Sequence, residues 1–266
     1  MNFRAKYEPL LQAIVEEADK ISMKYFRSDT LGREKKADGT VVTVADKAVE
    51  AMALKKVSES GLTIDVVGEE TSKEPPSEPA SNGRPRMIID PIDGTEEFSR
   101  GIPTFGTLIG IEENDEIVAG MVSAPALSQG TRWWAYKGEG AYRSGKRIHV
   151  SQRKSLEEAM FFTTGTGWAK NMEARKSMRR MADAARSSRS IGGFWQHMLV
   201  AEGAVEAAVD WVSKAWDLAP LGIIVEEAGG KSTTIDGEHT IYKGRFVSTN
   251  GILHDKVLRL LRGDEP

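Results

Sequence analysis

Asp90, Asp93 and Thr95 stand close together in the hexapeptide of residues 90–95, Asp-Pro-Ile-Asp-Gly-Thr, and these side chains suit metal ions and phosphate. The apolar residues 87–89 come directly before it, and such a run predicts a buried strand. Proline and glycine predict a tight turn directly after that strand. Two carboxylates on one turn repel each other unless a cation lies between them, and hard oxygen ligands suit Mg2+. The hexapeptide therefore predicts a Mg2+ site for phosphoryl transfer or phosphate hydrolysis.

Three other interpretations of this hexapeptide are weaker. The dipeptide Asp93-Gly94 is common in ordinary turns and would be structural if it stood alone. A calcium loop of the EF-hand type needs acids at alternate positions, and Pro91 and Ile92 interrupt that alternation. A phosphatase with an aspartyl nucleophile would have its two acids one residue closer together than Asp90 and Asp93 are.

Two further acidic segments strengthen the prediction of a metal site. Glu69 and Glu70 follow residues 66–68, a run that predicts the end of a strand. Asp217 lies among apolar residues, directly before a predicted helix over residues 218–228. Asp is a favoured N-cap residue, so Asp217 is predicted to be the N-cap, which leaves its second oxygen available to a metal.

Five short segments, in this order, resemble the signatures of the inositol monophosphatase superfamily. They are Val42-Thr43-x-Ala45-Asp46, Gly68-Glu69-Glu70, the hexapeptide 90–95, Trp216-Asp217-x-Ala219 and Glu226-Glu227-Ala228-Gly229-Gly230. The resemblance covers nearly the whole chain, from about residue 35 to 250. It implies an α/β (α+β) fold, a layered αβαβα sandwich. Residues 1–150 would form a half with most metal ligands, and residues 151–266 a half that completes the active-site cleft.

The resemblance also implies a role for each polar residue of these segments. The first Mg2+ would be bound by Glu69, Asp90 and the carbonyl of Ile92; the second by Asp90, Asp93 and Asp217; a third ion would bind only with substrate. The backbone amides of Gly94 and Thr95 would bind the phosphate. Asp46 and the hydroxyl of Thr95 would orient and deprotonate the attacking water, together with Glu69 through the first metal. Two metals suit such an in-line displacement, because they clamp the attacking and leaving oxygens.

The substrate must be argued from other segments. Residues 98–103, 124–127 with 132–135, and 193–197 resemble the histidinol-phosphate phosphatase branch more than the inositol enzymes. Each also has a structural explanation: Trp133 and Trp134 as strand packing, His197 as a core histidine, and Arg100 as a solvated charge.

Two positions bear on the leaving group of the substrate. Many histidinol-phosphate phosphatases have an acid after the first glycine of the last of these segments, where this chain has Gly193 after Gly192. Asp210, seven residues before Asp217, falls where inositol enzymes have an acidic substrate ligand, and it suits a hydroxyl or an amine. We therefore predict substrate or phosphate contacts from Gly192, Gly193 and Asp210. Histidinol phosphate ranks first as substrate, inositol monophosphate second, and other sugar or nucleotide phosphates third.

Composition excludes several other classes of protein. The 266 residues include 36 basic and 39 acidic ones, a net charge of −3, which gives no basic field for nucleic acid. No apolar run approaches the roughly 20 residues that span a bilayer, and no signal peptide is visible. The chain has no cysteine, so disulfides and thiolate metal sites are excluded. We expect a cytoplasmic location. The family resemblance implies sensitivity to lithium and a homodimer, with residues 133–134 or 161–162 at the interface. A non-catalytic regulator is disfavoured because every predicted metal ligand is present.

The remaining pattern predicts helices alternating with strands. Helices are predicted over residues 8–27, 43–58, 172–185, 194–202, 218–228 and 255–261, and strands over 63–67, 105–111, 117–122, 132–150, 160–164 and 204–211. Residues 33–40 are predicted to be a mobile loop. The family resemblance implies that this loop brings Lys36 near the site, and the alternative is an ordinary solvated lysine. This alternation predicts two sheets with flanking helices.

Overall fold

The computed structural model describes residues 2–36, 39–80, 83–164 and 172–264. The helices are α1 (Phe3–Tyr25), α2 (Val44–Glu59), α3 (Thr95–Ser99), α4 (Met172–Ala184), α5 (Gly193–Ala201), α6 (Ala215–Glu227) and α7 (His254–Arg262), with a 3-10 helix at Leu156–Glu158. The strands are β1 (Arg33–Lys35), β2 (Val41–Thr43), β3 (Asp65–Gly68), β4 (Arg86–Asp93), β5 (Gly106–Glu113), β6 (Glu116–Ala124), β7 (Thr131–Tyr136), β8 (Ala141–Arg143), β9 (Lys146–Ile148), β10 (Met160–Thr163), β11 (Ser187–Ser190), β12 (Ala207–Asp210), β13 (Lys231–Thr234) and β14 (Phe246–Thr249).

The strands form two large sheets and one small hairpin. The seven-stranded sheet has the order β3-β4-β5-β6-β7-β8-β9, antiparallel except for the parallel pair β3 and β4. The five-stranded sheet has the order β11-β10-β12-β14-β13, with β10 parallel to both of its neighbours. Strands β1 and β2 pair with each other.

Helices cover both faces of the sheets. Helices α1 and α2 pack on one face of the seven-stranded sheet, and α6 packs between this sheet and the five-stranded one. Helix α5 contacts α6, β12 and β14, while α4 packs against α7 and the β10 side of the five-stranded sheet. Both sheets are thus buried between apolar surfaces, and the predicted αβαβα sandwich is confirmed.

Two glycines let α6 lie directly on the seven-stranded sheet. A Cβ atom on Gly110 of β5 would lie 2.5 Å from the Cβ of Ala219, and one on Gly120 of β6 would lie 2.6 Å from Ile223 Cγ2. These distances are shorter than van der Waals contact, so only glycine permits the approach. The N-terminus of α6, which carries Asp217, is held near β4 by this packing.

The structure differs from the sequence predictions at three places near the site. Strand β4 runs through Pro91 to Asp93 instead of turning after Ile89, because a register shift between Asp90 and Asp93 accommodates the proline. The N-cap of α6 is Lys214, and Asp217 is the third residue of the helix. Part of the predicted loop 33–40 is strand β1, while Asp38 lies outside the described residues.

The aromatic pairs predicted at an interface are mostly inside the chain. Trp133, Phe161 and Phe162 are buried in the cores on either side of the sheets, so for these residues that prediction is wrong. Trp134 is partly buried and stacks on Tyr142 with ring centroids 5.9 Å apart. Among the described helices, none combines the length and apolarity that crossing a bilayer requires.

The packing of α6 generates a prediction. Gly110→Ala should lower the free energy of unfolding by about 1–3 kcal/mol, the usual effect of overpacking a core. Gly222→Ala in α6 is the matched control, since its Cβ would meet Phe246 at an ordinary 3.5 Å. That change should be neutral or stabilising, because alanine favours helix by about 0.5–1 kcal/mol. Urea unfolding of both variants makes the comparison, and equal stabilities would contradict the glycine argument.

Candidate active site

Three carboxylates from two elements, β4 and α6, lie close together. Asp90 and Asp93 lie at the end of β4, and Asp217 lies in the first turn of α6. One oxygen from each lies within 4.8 Å of the other two. Asp90 is buried, and Asp93 and Asp217 are half-buried. This is the set of side chains that the sequence analysis assigned to one Mg2+.

A backbone N–H group holds each of these carboxylates in place. The amide of Ile92 donates to Asp90 Oδ1 at 2.9 Å, that of Phe194 to Asp93 Oδ2 at 2.8 Å, and that of Lys214 to Asp217 Oδ2 at 2.7 Å. The bond to Phe194 comes from the first turn of α5, whose N-terminus favours a negative charge. The three acids are therefore oriented before any ligand arrives.

Burial and mutual repulsion disfavour the charged forms of these acids. Burial, with Glu69 and Asp217 nearby, raises the pKa of Asp90 well above its ordinary value. Burial raises the pKa of Asp93 to about 7, although the N–H of Phe194 acts in the opposite direction. Burial, Asp93 and Glu69 raise the pKa of Asp217 likewise. Such a cluster is suited to a bound cation, which would favour the ionised carboxylates.

Glu69 lines the same cavity but is engaged by lysine. Lys36 Nζ lies 3.0 Å from Glu69 Oε1 and 2.6 Å from Glu70 Oε1, and Lys214 Nζ lies 3.8 Å from Glu69 Oε1. Burial raises the pKa of Glu70 to about 7, with Lys36 opposing the shift. The predicted proximity of Lys36 to the site is therefore observed. No sequence signal pointed to Lys214.

A buried acid of α2 holds the loop that carries Glu69. Glu50 accepts hydrogen bonds from the backbone N–H groups of Glu70 and Thr71, both at 2.8 Å. A Cβ atom on Gly68 would lie 2.2 Å from the carboxyl carbon of Glu50, so the loop passes this close only because residue 68 is glycine. Sequence reasoning missed Glu50, which lies among ordinary helical residues.

Asp46 and Thr95 contact each other, and their role in activating water stays a prediction. Thr95 Oγ1 lies 3.1 Å from Asp46 Oδ1 and 2.9 Å from the carbonyl oxygen of Ile92. The other oxygen of Asp46 accepts hydrogen bonds from the backbone N–H and the hydroxyl of Thr43, in the capping box of α2. Burial raises the pKa of Asp46, and the bonds from Thr43 and Thr95 oppose this shift. The Thr95 hydroxyl can therefore relay a proton from a bound group to the buried carboxylate of Asp46.

Two glycine positions shape the cavity wall. Gly94 has φ 83° and precedes α3, and a Cβ there would lie 2.7 Å from the carbonyl oxygen of Thr104. Gly193 has φ 63°, and a Cβ there would lie 2.9 Å from Asp93 Oδ2. Gly193 thus contacts a predicted metal ligand, and an acid at this position would crowd Asp93. The predicted contacts of Gly94, Gly192 and Gly193 with substrate or phosphate stay predictions.

Of the two remaining residues that the sequence suggested for the site, Asp210 and Arg100, only Asp210 lines the cavity. Asp210 lines the same cavity and is buried, with His197 beside it. Arg100 is exposed and pairs with Glu96, four residues earlier, which fits a solvated charge. The cavity has a volume of about 1250 Å³. Its walls include Glu69, Asp90, Asp93, Thr95, Trp195, Asp210, Trp211 and Asp217.

A family model for the inositol monophosphatase family matches residues 6–264. The chain belongs to this family. Its similar relatives include the histidinol-phosphatases of Streptomyces coelicolor (37% identity, 95% of each chain) and Mycobacterium tuberculosis (38% identity, 95% of this chain and 96% of the other). The chain is thus a phosphoric monoester hydrolase that acts on small phosphate esters.

Solved structures of family members have the same fold. The Thermotoga maritima IMPase has a TM-score of 0.81 at 30% identity and matches over 94% of each chain. An IMPase/NADP phosphatase complexed with Mg2+ and phosphate has a TM-score of 0.84 at 20% identity, over 99% of this chain and 97% of the other. The family is metal-dependent, and the carboxylate cluster of this member has the donor atoms for such ions.

The raised pKa values lead to a prediction about stability in EDTA. A carboxyl whose pKa rises on folding stabilises the fold at low pH, and this contribution is lost as pH rises from about 4 through the folded-state pKa. Asp93→Asn removes an acid whose folded-state pKa is about 7. We expect this variant to unfold at a higher temperature than the wild type at pH 8, by about 2–4 °C for each kcal/mol gained. The difference should shrink at pH 5.

The control for this experiment is Asp115→Asn in the exposed turn between β5 and β6. It removes the same charge without touching the cluster, so the melting temperature should stay unchanged at both pH values. An Asp93→Asn protein no more stable than this control at pH 8 would show that the cluster is not strained by repulsion.

The contact between Gly193 and Asp93 leads to a second prediction here. Gly193→Ala should lower kcat at least tenfold, because the new Cβ displaces the Asp93 carboxylate. Gly61→Ala is the control for backbone strain, since Gly61 has φ 73° with no atom within 4 Å of its Cβ position. That variant should lose a little stability but keep its kcat in a phosphate-release assay. Equal kcat values for the two variants would refute the crowding argument.

Proposed function

We propose that this protein hydrolyses histidinol phosphate to histidinol and phosphate in a Mg2+-dependent reaction, with water as the nucleophile. The observation that carries the proposal is a cavity with the Asp90–Asp93–Asp217 cluster and the separate buried acid Asp210. The cluster suits metal ions that bind a phosphate group. Asp210 suits a positively charged group elsewhere on the same small molecule. The names of two similar relatives support this substrate.

The donor set of the cavity fits Mg2+. Glu69, Asp90 and the Ile92 carbonyl would hold one ion, and Asp90, Asp93 and Asp217 a second. All these donors are hard oxygens, which Mg2+ prefers. When bound, the ions would supply positive charge for the phosphate oxygens and make a water molecule more acidic.

The residues of the chain itself orient the nucleophile and take its proton. The Thr95 hydroxyl has a single proton, which it donates either to the Ile92 carbonyl or to Asp46. Its oxygen can accept a hydrogen bond from a water molecule in the cavity, since Thr95 lines that cavity. Asp46, whose Oδ1 lies 3.1 Å from this hydroxyl, can receive the proton through it. General-base help of this kind typically contributes about 10²–10⁴-fold in rate.

The phosphate and the leaving group are bound by different surfaces of the cavity. The backbone amides of Gly94 and Thr95, at the start of α3, would donate to the phosphate oxygens. Donors aimed at developing charge are commonly the largest contribution to catalysis. Asp210 would bind the ammonium group of histidinol, with Trp195 and Trp211 providing aromatic wall for its imidazole ring.

The resemblance to the family supports further properties of this enzyme. A homodimer, a cytoplasmic location, sensitivity to lithium, and a third Mg2+ present only with substrate stay predictions. So does the division into halves at residues 150 and 151.

The metal-site proposal is tested by a substitution. Asp93→Asn should lower kcat for phosphate release at least a hundredfold, because one ligand oxygen loses its charge while the fold persists. Circular dichroism checks the fold, and EDTA should abolish the wild-type activity until excess Mg2+ is added. Near-normal turnover by this variant would falsify the assignment of Asp93 as a metal ligand.

The substrate proposal is tested by a panel of four phosphate esters. Histidinol phosphate, inositol 1-phosphate, fructose 1,6-bisphosphate and 3′-phosphoadenosine 5′-phosphate are assayed with Mg2+. We expect kcat/KM for histidinol phosphate to exceed the others at least a hundredfold, about 2.7 kcal/mol of transition-state binding. A preference for inositol 1-phosphate would instead assign Asp210 to a substrate hydroxyl.

A further inference from the structure

A buried polar network supports Asp210 from behind the cavity wall. His197 Nε2 lies 3.0 Å from Asp210 Oδ2, and Gln196 Nε2 donates to Asp210 Oδ1 at 2.5 Å. On the other side of the imidazole ring, His197 Nδ1 lies 2.8 Å from Ser248 Oγ. These residues come from α5, β12 and β14, and all four are at most 4% exposed.

Asp210 is a charged group in an unusual position. A buried carboxylate is costly unless hydrogen bonds or a counter-ion compensate it. Among the ion pairs of the described residues, His197 is the one partner of Asp210. A carboxylate has about four acceptor positions, and His197 and Gln196 occupy one on each oxygen. The remaining acceptor capacity of Asp210 is available to a ligand in the cavity that this residue lines.

Gln196 shows how strongly the network orients this carboxylate. Its amide nitrogen donates to Asp210, while its carbonyl oxygen is buried with no hydrogen-bond partner among the described residues. Leaving a buried oxygen without a hydrogen-bond partner is unfavourable. The Gln196 amide is therefore held through its nitrogen, by Asp210 and by the Val209 carbonyl oxygen at 3.4 Å, and not by a partner for its own oxygen.

The hydrogen-bonded chain from Asp210 through His197 to Ser248 resembles a nucleophilic triad, but the burial of the Ser248 hydroxyl excludes that function. Ser248 is fully buried in the five-stranded sheet and lies on the side of His197 away from Asp210. Asp210, and not the hydroxyl, lines the cavity. The network therefore acts on a bound molecule only through Asp210.

We propose that His197 is a positioning residue for substrate specificity. It holds Asp210 so that the carboxylate meets the ammonium group of an amine-bearing phosphate ester. A hydrogen bond between Ser248 and His197 orients the imidazole ring, and the ring fixes one carboxylate oxygen. This inference rests on the proposed function, since it needs a substrate with a cationic amine on its leaving group.

The experiment compares two substrates on one variant. His197→Phe keeps an aromatic ring but removes both hydrogen bonds. We expect KM for histidinol phosphate to rise at least tenfold, with kcat within about threefold of the wild-type value. The kcat/KM for 4-nitrophenyl phosphate, which has no amine, should stay within twofold. In the double variant with Asp210→Asn, KM should be no higher than for Asp210→Asn alone, because His197 acts through that carboxylate.

A matched control is available in the second fully buried histidine of the chain's described part. His254 lies between the hydroxyls of Thr233 and Thr249, at 2.9 and 3.0 Å, outside the cavity. His254→Phe should lower stability without changing the ratio of kcat/KM between the two substrates. Ser248→Ala is the milder second variant, which should raise KM for histidinol phosphate about threefold.

The outcomes separate this inference from the proposed function. If the wild type hydrolyses 4-nitrophenyl phosphate but not histidinol phosphate, the substrate proposal fails and this inference fails with it. If the wild type hydrolyses both and the His197 and Ser248 variants lose both activities in parallel, His197 is only structural. That result overturns this inference and leaves the proposed function standing.

Discussion

The rest of this structure depends on one constraint, which is the repulsion among carboxylates that are held close together in a partly buried cleft. Asp90, Asp93 and Asp217 would separate or protonate if they were on flexible segments. Each is instead fixed by a backbone N–H group, and two of them share one strand. The surrounding layers of helix and sheet supply the rigidity that keeps the charges together.

Two lysines of the described residues lie at the edge of the carboxylate cluster. Lys36 and Lys214 lie beside Glu69, at the edge of the cluster. A divalent cation bound among the three aspartates would relieve their repulsion and favour their ionised forms. The protein thereby exchanges some stability for a site that is completed by its ligands, as functional sites commonly do.

Part of the site could be predicted because Asp90, Asp93 and Thr95 lie within one hexapeptide. The hexapeptide with Asp90 and Asp93 predicts a strand end with several oxygen ligands. The segment with Asp217 resembles another signature of the same family. Local signals also predicted three elements within a few residues: Thr43 as N-cap predicted α2, and apolar runs predicted β5 and β6. The layered sandwich then followed from the resemblance and from the alternation of elements.

Other features could not be predicted, because they depend on contacts between distant segments. Pro91 normally ends a strand, but a register shift lets β4 continue to Asp93. Asp217 was predicted to be an N-cap, whereas a lysine takes that place. The link from Asp210 through His197 to Ser248 joins three elements and has no local signature. In the sequence, Gly193 stands where many histidinol-phosphate phosphatases have an acid. Only the structure shows that a side chain at residue 193 would crowd the Asp93 carboxylate.

The two glycines beneath α6 also set a length scale for the chemistry. A helix advances 1.5 Å for each residue. The close approaches of Gly110 to Ala219 and of Gly120 to Ile223 fix where α6 lies along its own axis. If the helix slid by even two residues, Asp217 would move about 3 Å relative to β4, a large part of the 4.8 Å that bounds the cluster. The sheet therefore fixes the spacing of the acids through residues that do not line the cavity.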